Sequence, residues 1–267
     1  QVFAMSDHRV ILVDLQAELL AKAKKNMENS IGKIISKNNM DTSVEAIMSR
    51  VSFTTDYKEL KECDLVIEAI IEKIEEKKKL FKTLDKICSE KTIFASNTSS
   101  LSITEMADAT NRPDRVCGMH FFNPPAIMKL VEIVKGKETS EETIKKASAI
   151  VEEINKRGVI VEDSPLFVVN RILVPMICEA IFVLQEGIAS PEDIDEAMQL
   201  GANHPIGPLK LADMIGLDTL LRVQESLLET TGDDKYRIPE LLKKMVNEGN
   251  LGKKSGKGFY DYKVTVP

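Results

Sequence analysis

Residues 9–37 read RVILVDLQAELLAKAKKNMENSIGKIISK. Arg9 to Asp14 is a short, β-branched apolar run that closes on an acid, the pattern of a buried strand. Gln16 to Lys37 is polar, with an apolar stripe through Leu19, Leu20, Ala23, Met27, Ile31 and Ile34, the spacing of a long amphipathic helix. A strand that feeds directly into a helix is the repeating unit of parallel α/β sheets. Working outward, further strands are expected at Val51–Thr54, Leu65–Ile71, Thr92–Ser96, Val116–Phe122, Leu130–Val134 and Val159–Val161. Helices fill the gaps, notably Ile74–Ile87 and Glu141–Arg157. The alternation predicts a doubly wound, mostly parallel, Rossmann-like sheet with helices on both faces.

The second part of the chain changes character. From Ser164 on, every long periodic segment is helical. Ser164 fits a helix N-cap, Pro165 its first turn, and Pro175 is expected to kink that helix. Helices follow near Pro191–Leu200, Pro208–Ile215, Leu217–Thr230 and Pro239–Asn247. The expected domains are therefore 1–163, α/β, and 164–267, all-helical.

The 267 residues are 43% hydrophobic, enough for two cores, and the net charge of −6 argues against a nucleic-acid surface. Cys63, Cys88, Cys117 and Cys178 have no CxxC spacing and read as reduced thiols of a cytoplasmic protein. His8, His120 and His204 have no metal-ligand spacing, so no metal is expected. The apolar stretch Leu166–Leu184 is interrupted by Asn170, Arg171, Pro175 and Glu179, so it reads as a helix buried in protein and not as a membrane span.

Polar residues collect where the strands end. Asp14 closes RVILVD, Glu72 follows LVIEAII, Asn97 and Ser99 follow TIFAS, and His120 follows RVCGM. Ligands of open α/β sheets bind outside the carboxyl ends of the strands, so these residues are site candidates. Glu132 interrupts the apolar run LVEIV. If the runs around 116–122 and 130–134 fold back about Ala126, His120 and Glu132 face each other. A buried carboxylate needs a partner, and the pairing makes a general base. An ordinary core histidine beside a surface glutamate is the plainer alternative.

Asp14 suits the adenosine ribose hydroxyls of a dinucleotide and repels a 2′-phosphate, which favours NAD over NADP. No G-x-G-x-x-G occurs, and the first glycine is Gly32. The helix-like stub Gln1–Met5 before RVILVD is what remains when a first strand, its glycine loop and the start of its helix are missing. The expectation is an incomplete amino-terminal end; the alternative is a chain that lacks a phosphate cradle.

Seven segments then carry a resemblance: LVIEAIIE (65–72), FASNTSSLSI (94–103), HFFNPP (120–125), MKLVEIV (128–134), VVNRILVP (168–175), GANHPIGPL (201–209) and GKKSGKGFYDY (252–262). In this order the chain resembles the L-3-hydroxyacyl-CoA dehydrogenases, most of all the bacterial 3-hydroxybutyryl-CoA dehydrogenases. The resemblance implies an NAD-dependent oxidoreductase acting on short-chain acyl-CoA substrates in the cleft between the domains; the apolar stretch Leu166–Leu184, more than a small helical domain can hide from one chain, predicts a homodimer. The resemblance also implies that His120 is the base, that Glu132 orients it, and that Ser99 and Asn170 bind substrate and position the histidine. The cofactor side would use Asp14, Glu72, Lys77, Ser99, Asn123 and Lys254. Ser30 and Lys37 match positions that contact coenzyme A. The family usually has glycine where Leu166 stands; leucine is comfortable in a first helical turn, so the fold should survive while the acyl pocket alters. A dehydrogenase of free sugar acids such as gulonate, and a non-catalytic crystallin-like member, are the competing readings.

Overall fold

The computed structural model describes residues 1–262; residues 263–267 of the expected second domain lie outside them. The chain divides into two compact units, Gln1–Ser164 and Pro165–Pro267. The first runs α1 (Val2–Met5), β1 (Val10–Val13), α2 (Ala17–Asn38), α3 (Val44–Met48), β2 (Val51–Thr54), β3 (Leu65–Glu68), α4 (Ile74–Ile87), β4 (Ile93–Ser96), α5 (Ile103–Ala107), β5 (Val116–Phe121), β6 (Leu130–Lys135), α6 (Glu141–Glu153) and β7 (Arg157–Glu162). The second holds α7 (Val169–Gln185), α8 (Pro191–Ala202), α9 (Pro208–Ile215), α10 (Leu217–Thr231) and α11 (Glu240–Asn247).

In the first unit, β1 and β2 pair in parallel as one small sheet, and five strands form a second in the order β3-β4-β5-β6-β7. All pairings in the larger sheet are parallel except β5 with β6. Its strands are short, and β4 is buried along its whole length. Side chains alternate between its faces. Ala95, Cys117, Met119 and Ile133 pack under Ile144, Ala147 and Val151 of α6. On the other face Phe94 meets Phe81 of α4, with ring centroids 5.7 Å apart. Gly118, on β5, is the tight point: a Cβ there would lie 2.6 Å from Val134 Cβ of β6.

Three expectations about local structure fail. The helix expected to run to Arg157 ends at Glu153, and Arg157 opens β7, paired with Leu130 of β6. The strand expected to reach Ile71 stops at Glu68, because Glu68 Oε1 accepts the Ile70 N–H at 2.6 Å and turns the chain out of the sheet. The helix expected from Ser164 starts only at Val169. Leu166 and Phe167 have φ of 60° and 55°, the left-handed region that a helical first turn excludes. Leu166 is held there by burial against Leu227 and Tyr236. Pro175 lies inside α7, which is continuous from Val169 to Gln185.

The helices of the second unit close around Ile177, Ile181, Leu209, Ala212, Leu217, Leu220 and Leu242. Buried Asp213 fastens the GKKSGKGFYDY segment, accepting the Phe259 and Tyr260 N–H groups at 3.0 Å each and the Tyr262 hydroxyl at 3.1 Å. Burial pushes the Asp213 carboxyl up, against those hydrogen bonds. Tyr260 in turn donates to Asp195, 2.7 Å away, whose carboxylate also accepts the Leu209 and Lys210 N–H groups of the α9 first turn. No helix among the described residues is long and apolar enough to cross a membrane.

Candidate active site

The antiparallel pairing of β5 with β6 sets His120 directly opposite Glu132. Both side chains are almost wholly buried, and His120 Nδ1 lies 2.7 Å from Glu132 Oε2. A carboxylate only accepts, so Nδ1 carries the proton and Nε2 is left as the accepting nitrogen of the neutral ring. Ser99 Oγ, on the loop after β4, lies 3.1 Å from that Nε2. Phe122 packs on the imidazole with ring centroids 4.6 Å apart. The end of β5 is also tied to this loop by the Phe121 N–H, which donates to Asn97 Oδ1 at 2.9 Å. The result is a basic nitrogen held from behind by a buried acid and flanked by a hydroxyl, at the carboxyl edge of a sheet. That arrangement can take a proton from a hydroxyl group and return it.

A second group of charges stands beside it. Glu72 accepts from the Thr98 hydroxyl, from the Ser99 N–H at 3.1 Å and from the Ser100 hydroxyl at 3.3 Å. Lys77, 1% exposed, reaches Glu68 Oε1 at 2.7 Å and Glu72 Oε2 at 3.1 Å. Burial alone would raise the Glu72 carboxyl; the Thr98 hydrogen bond, the Lys77 charge and the Ser99 N–H hold it below its ordinary range. Glu68 is closed off by Ser96 Oγ, which donates to its Oε2 at 2.6 Å.

The structure thus brings Ser99, His120, Glu132, Glu72 and Lys77 into one connected set. Asp14 stands at the end of β1, with Oδ1 accepting the Gln16 N–H at 2.9 Å. Asn123 is exposed on the loop after β5. Ser30 is half-buried and Lys37 exposed, two turns apart on one face of α2. Asn170, half-buried on α7, and Lys254, paired with Asp218, belong to the second unit. Three residues that tie into this set, Glu68, Ser96 and Thr98, were not among the sequence's site candidates. One signal was available for Glu68: an acid inside LVIEAII needs a partner as much as Glu132 does, and Lys77 stands nine residues on.

Comparison with known proteins follows the same division of the chain. Residues 1–164 match the model of the 3-hydroxyacyl-CoA dehydrogenase NAD binding domain, and residues 167–262 that of the 3-hydroxyacyl-CoA dehydrogenase C-terminal domain. A 3-hydroxybutyryl-CoA dehydrogenase of Clostridioides difficile is 49% identical over 98% of this chain and 94% of its own length. The human mitochondrial hydroxyacyl-coenzyme A dehydrogenase is 45% identical over 98% of this chain and 86% of its own. The crystal structure of (S)-3-hydroxybutyryl-CoA dehydrogenase from Ralstonia eutropha superposes with a TM-score of 0.94 at 46% identity, covering 97% of this chain and 92% of that one. With an α/β unit and a helical unit that each match, the chain belongs to the 3-hydroxyacyl-CoA dehydrogenase family.

Proposed function

We propose that the chain interconverts short-chain (S)-3-hydroxyacyl-CoA and 3-ketoacyl-CoA with NAD, acting on the 3-hydroxybutyryl-CoA and acetoacetyl-CoA pair. The observation that carries this is the Ser99–His120–Glu132 line, where the carboxyl ends of β4 and β5 meet the start of antiparallel β6. The names of the relatives supply the substrate class and the chain length.

In the oxidative direction His120 Nε2 takes the proton of the substrate 3-hydroxyl, and the ring, now cationic, rests on Glu132. Ser99 Oγ, close to the same nitrogen, hydrogen-bonds the substrate oxygen and lines it up. When bound, the nicotinamide supplies the hydride chemistry, accepting from C3 or donating to it. In reduction His120 returns the proton to the forming alkoxide. Burial of the His120–Glu132 pair excludes water from the charge that develops there.

The residues fit a dinucleotide in their donor chemistry. Asp14 ends the first strand of the chain as an acceptor for ribose hydroxyls, and its neighbour is Leu15, with no cation to favour a 2′-phosphate. Glu72 and Asn123 on the loops after β3 and β5, Lys77 in the first turns of α4, and Lys254 in the second unit complete the proposed cofactor set. Asn170 is assigned to the substrate, and Ser30 and Lys37, sharing a face of α2, to coenzyme A. A homodimer and a cytoplasmic location belong to the same proposal. Exposed Ile172, Ile188, Leu200 and Met214 in the second unit favour the first, and four unbridged cysteines favour the second.

The test is loss of nicotinamide absorbance with acetoacetyl-CoA and NADH, against a panel that includes free hydroxy and keto acids. Turnover of the thioester with none on free acids is expected; the reverse would favour the sugar-acid reading. His120→Gln should lose about 10²–10⁴-fold in kcat, the usual contribution of a general base. Wild-type turnover in that variant would remove the histidine from its role.

A further inference from the structure

Glu68 is 3% exposed, ends β3, and belongs to no role considered so far. It shares a face of the sheet with the histidine: it pairs with Ser96, Ser96 pairs with Gly118, and His120 follows Gly118 by two residues. Three groups from three elements converge on it. The Ile70 N–H and the Lys77 ammonium use Oε1, and the Ser96 hydroxyl uses Oε2. Lys77 then divides its charge between Glu68 and Glu72, and Glu72 holds the Thr98–Ser100 segment by three hydrogen bonds. Ser99 passes the line on to His120.

We propose that Glu68 is a positioning residue for the reaction: by anchoring Lys77 it keeps Glu72 on the loop that places Ser99 against His120. The physical reason is competition for one ammonium. A buried lysine must keep a carboxylate, because an unpaired charge in the interior is costly. With two carboxylates sharing it, Glu72 is free to spend Oε1 on the loop. Without the Glu68 charge, Glu72 is the one carboxylate of the pair left to Lys77 beside the Ile70 carbonyl, and drawing Glu72 inward releases the Ser99 N–H. Misplacing a catalytic contact by about 1 Å can cost about 10²-fold in rate. The inference rests on the proposed dehydrogenase reaction.

The test is a double-mutant cycle on the full-length protein: wild type, Glu68→Gln, Lys77→Met and the double variant, with kcat and KM for acetoacetyl-CoA and NADH. Glu68→Gln should lower kcat by about 10–100-fold, while thermal unfolding stays cooperative. If Glu68 acts through Lys77, adding Glu68→Gln to Lys77→Met should change kcat by less than about 2-fold, the margin within which independent changes add. Equal losses in both backgrounds, or an effect confined to stability with kcat intact, would overturn the proposal. Should Glu68→Gln not fold, the double variant decides, since it leaves no unpaired buried charge. It must keep the kcat of Lys77→Met within about 2-fold, and a further loss there overturns the proposal. A wild-type protein that turns over no acetoacetyl-CoA would sink the function itself, an outcome separate from the behaviour of the variants.

Discussion

Glu132→Gln isolates the electrostatic part of the proposed mechanism. Glutamine keeps the shape of the buried side chain and one accepting oxygen for His120 Nδ1, so the 2.7 Å contact can survive as a neutral hydrogen bond. What disappears is the negative charge beneath the imidazolium that forms when the proton arrives. Taking the two charge centres about 4 Å apart and an effective dielectric of about 20, their attraction is about 4 kcal/mol. The neutral bond that replaces it returns about 1 kcal/mol. The difference, about 3 kcal/mol, corresponds to roughly 10²-fold in rate. The deficit belongs in kcat, because the charge on the ring exists only after the ground state. Stopped-flow or steady-state oxidation of (S)-3-hydroxybutyryl-CoA by NAD, at saturating substrate, measures it directly, because in that direction the ring starts neutral and becomes cationic during the step. KM values should move by no more than a few-fold. A variant with wild-type kcat, or one whose whole loss sits in KM, would refute the view that Glu132 acts by stabilising a cation on His120.

Three other substitutions read the frame around the site. Gly118→Ala puts a methyl group within 2.6–2.8 Å of two Val134 atoms, so it should cost about 1–3 kcal/mol and lower kcat by moving β6 against β5; unchanged thermal unfolding would contradict that packing. Leu166→Gly relieves a left-handed leucine by about 1–2 kcal/mol but empties a buried site worth about 2–5. Net destabilisation is therefore expected in urea unfolding, and a more stable variant would show that strain outweighs burial. Asp85 is buried against Arg112 at 2.7 Å. Burial would raise its carboxyl, but the hydrogen bonds from Asn111 and Arg112 hold it below the ordinary range. Its contribution is present above the unfolded value near 3.9 and is lost as pH falls through the lower folded value. Asp85→Asn should lose about 3 kcal/mol at neutral pH and show a shallower decline of stability between roughly pH 5 and 2; parallel stability–pH curves would be the contrary result.

Much of the proposed catalytic line was legible in one dimension. The runs around His120 and Glu132 are each short and apolar with one polar member, and hairpin symmetry about Ala126 sets those members opposite each other. The α/β character of the first unit and the helical character of the second followed from periodicity, which is a local property of the chain. Sequence also gave Ser99 its place at a strand end, but not its 3.1 Å contact with the histidine, which needs β4 and β5 side by side.

What tertiary structure alone decided lies where distant groups satisfy one another. LVIEAII reads as strand to Ile71 by hydropathy, yet it ends at Glu68 because that carboxylate captures the Ile70 N–H, Ser96 and Lys77 together. Leu166 reads as the first turn of a helix, yet it takes a left-handed backbone because its side chain is buried between α10 and Tyr236. Apolar spacing reports which face of an element is buried. It cannot report backbone sign, or which of several charges will be paired, because those depend on burial energies that exist only once separate elements have met.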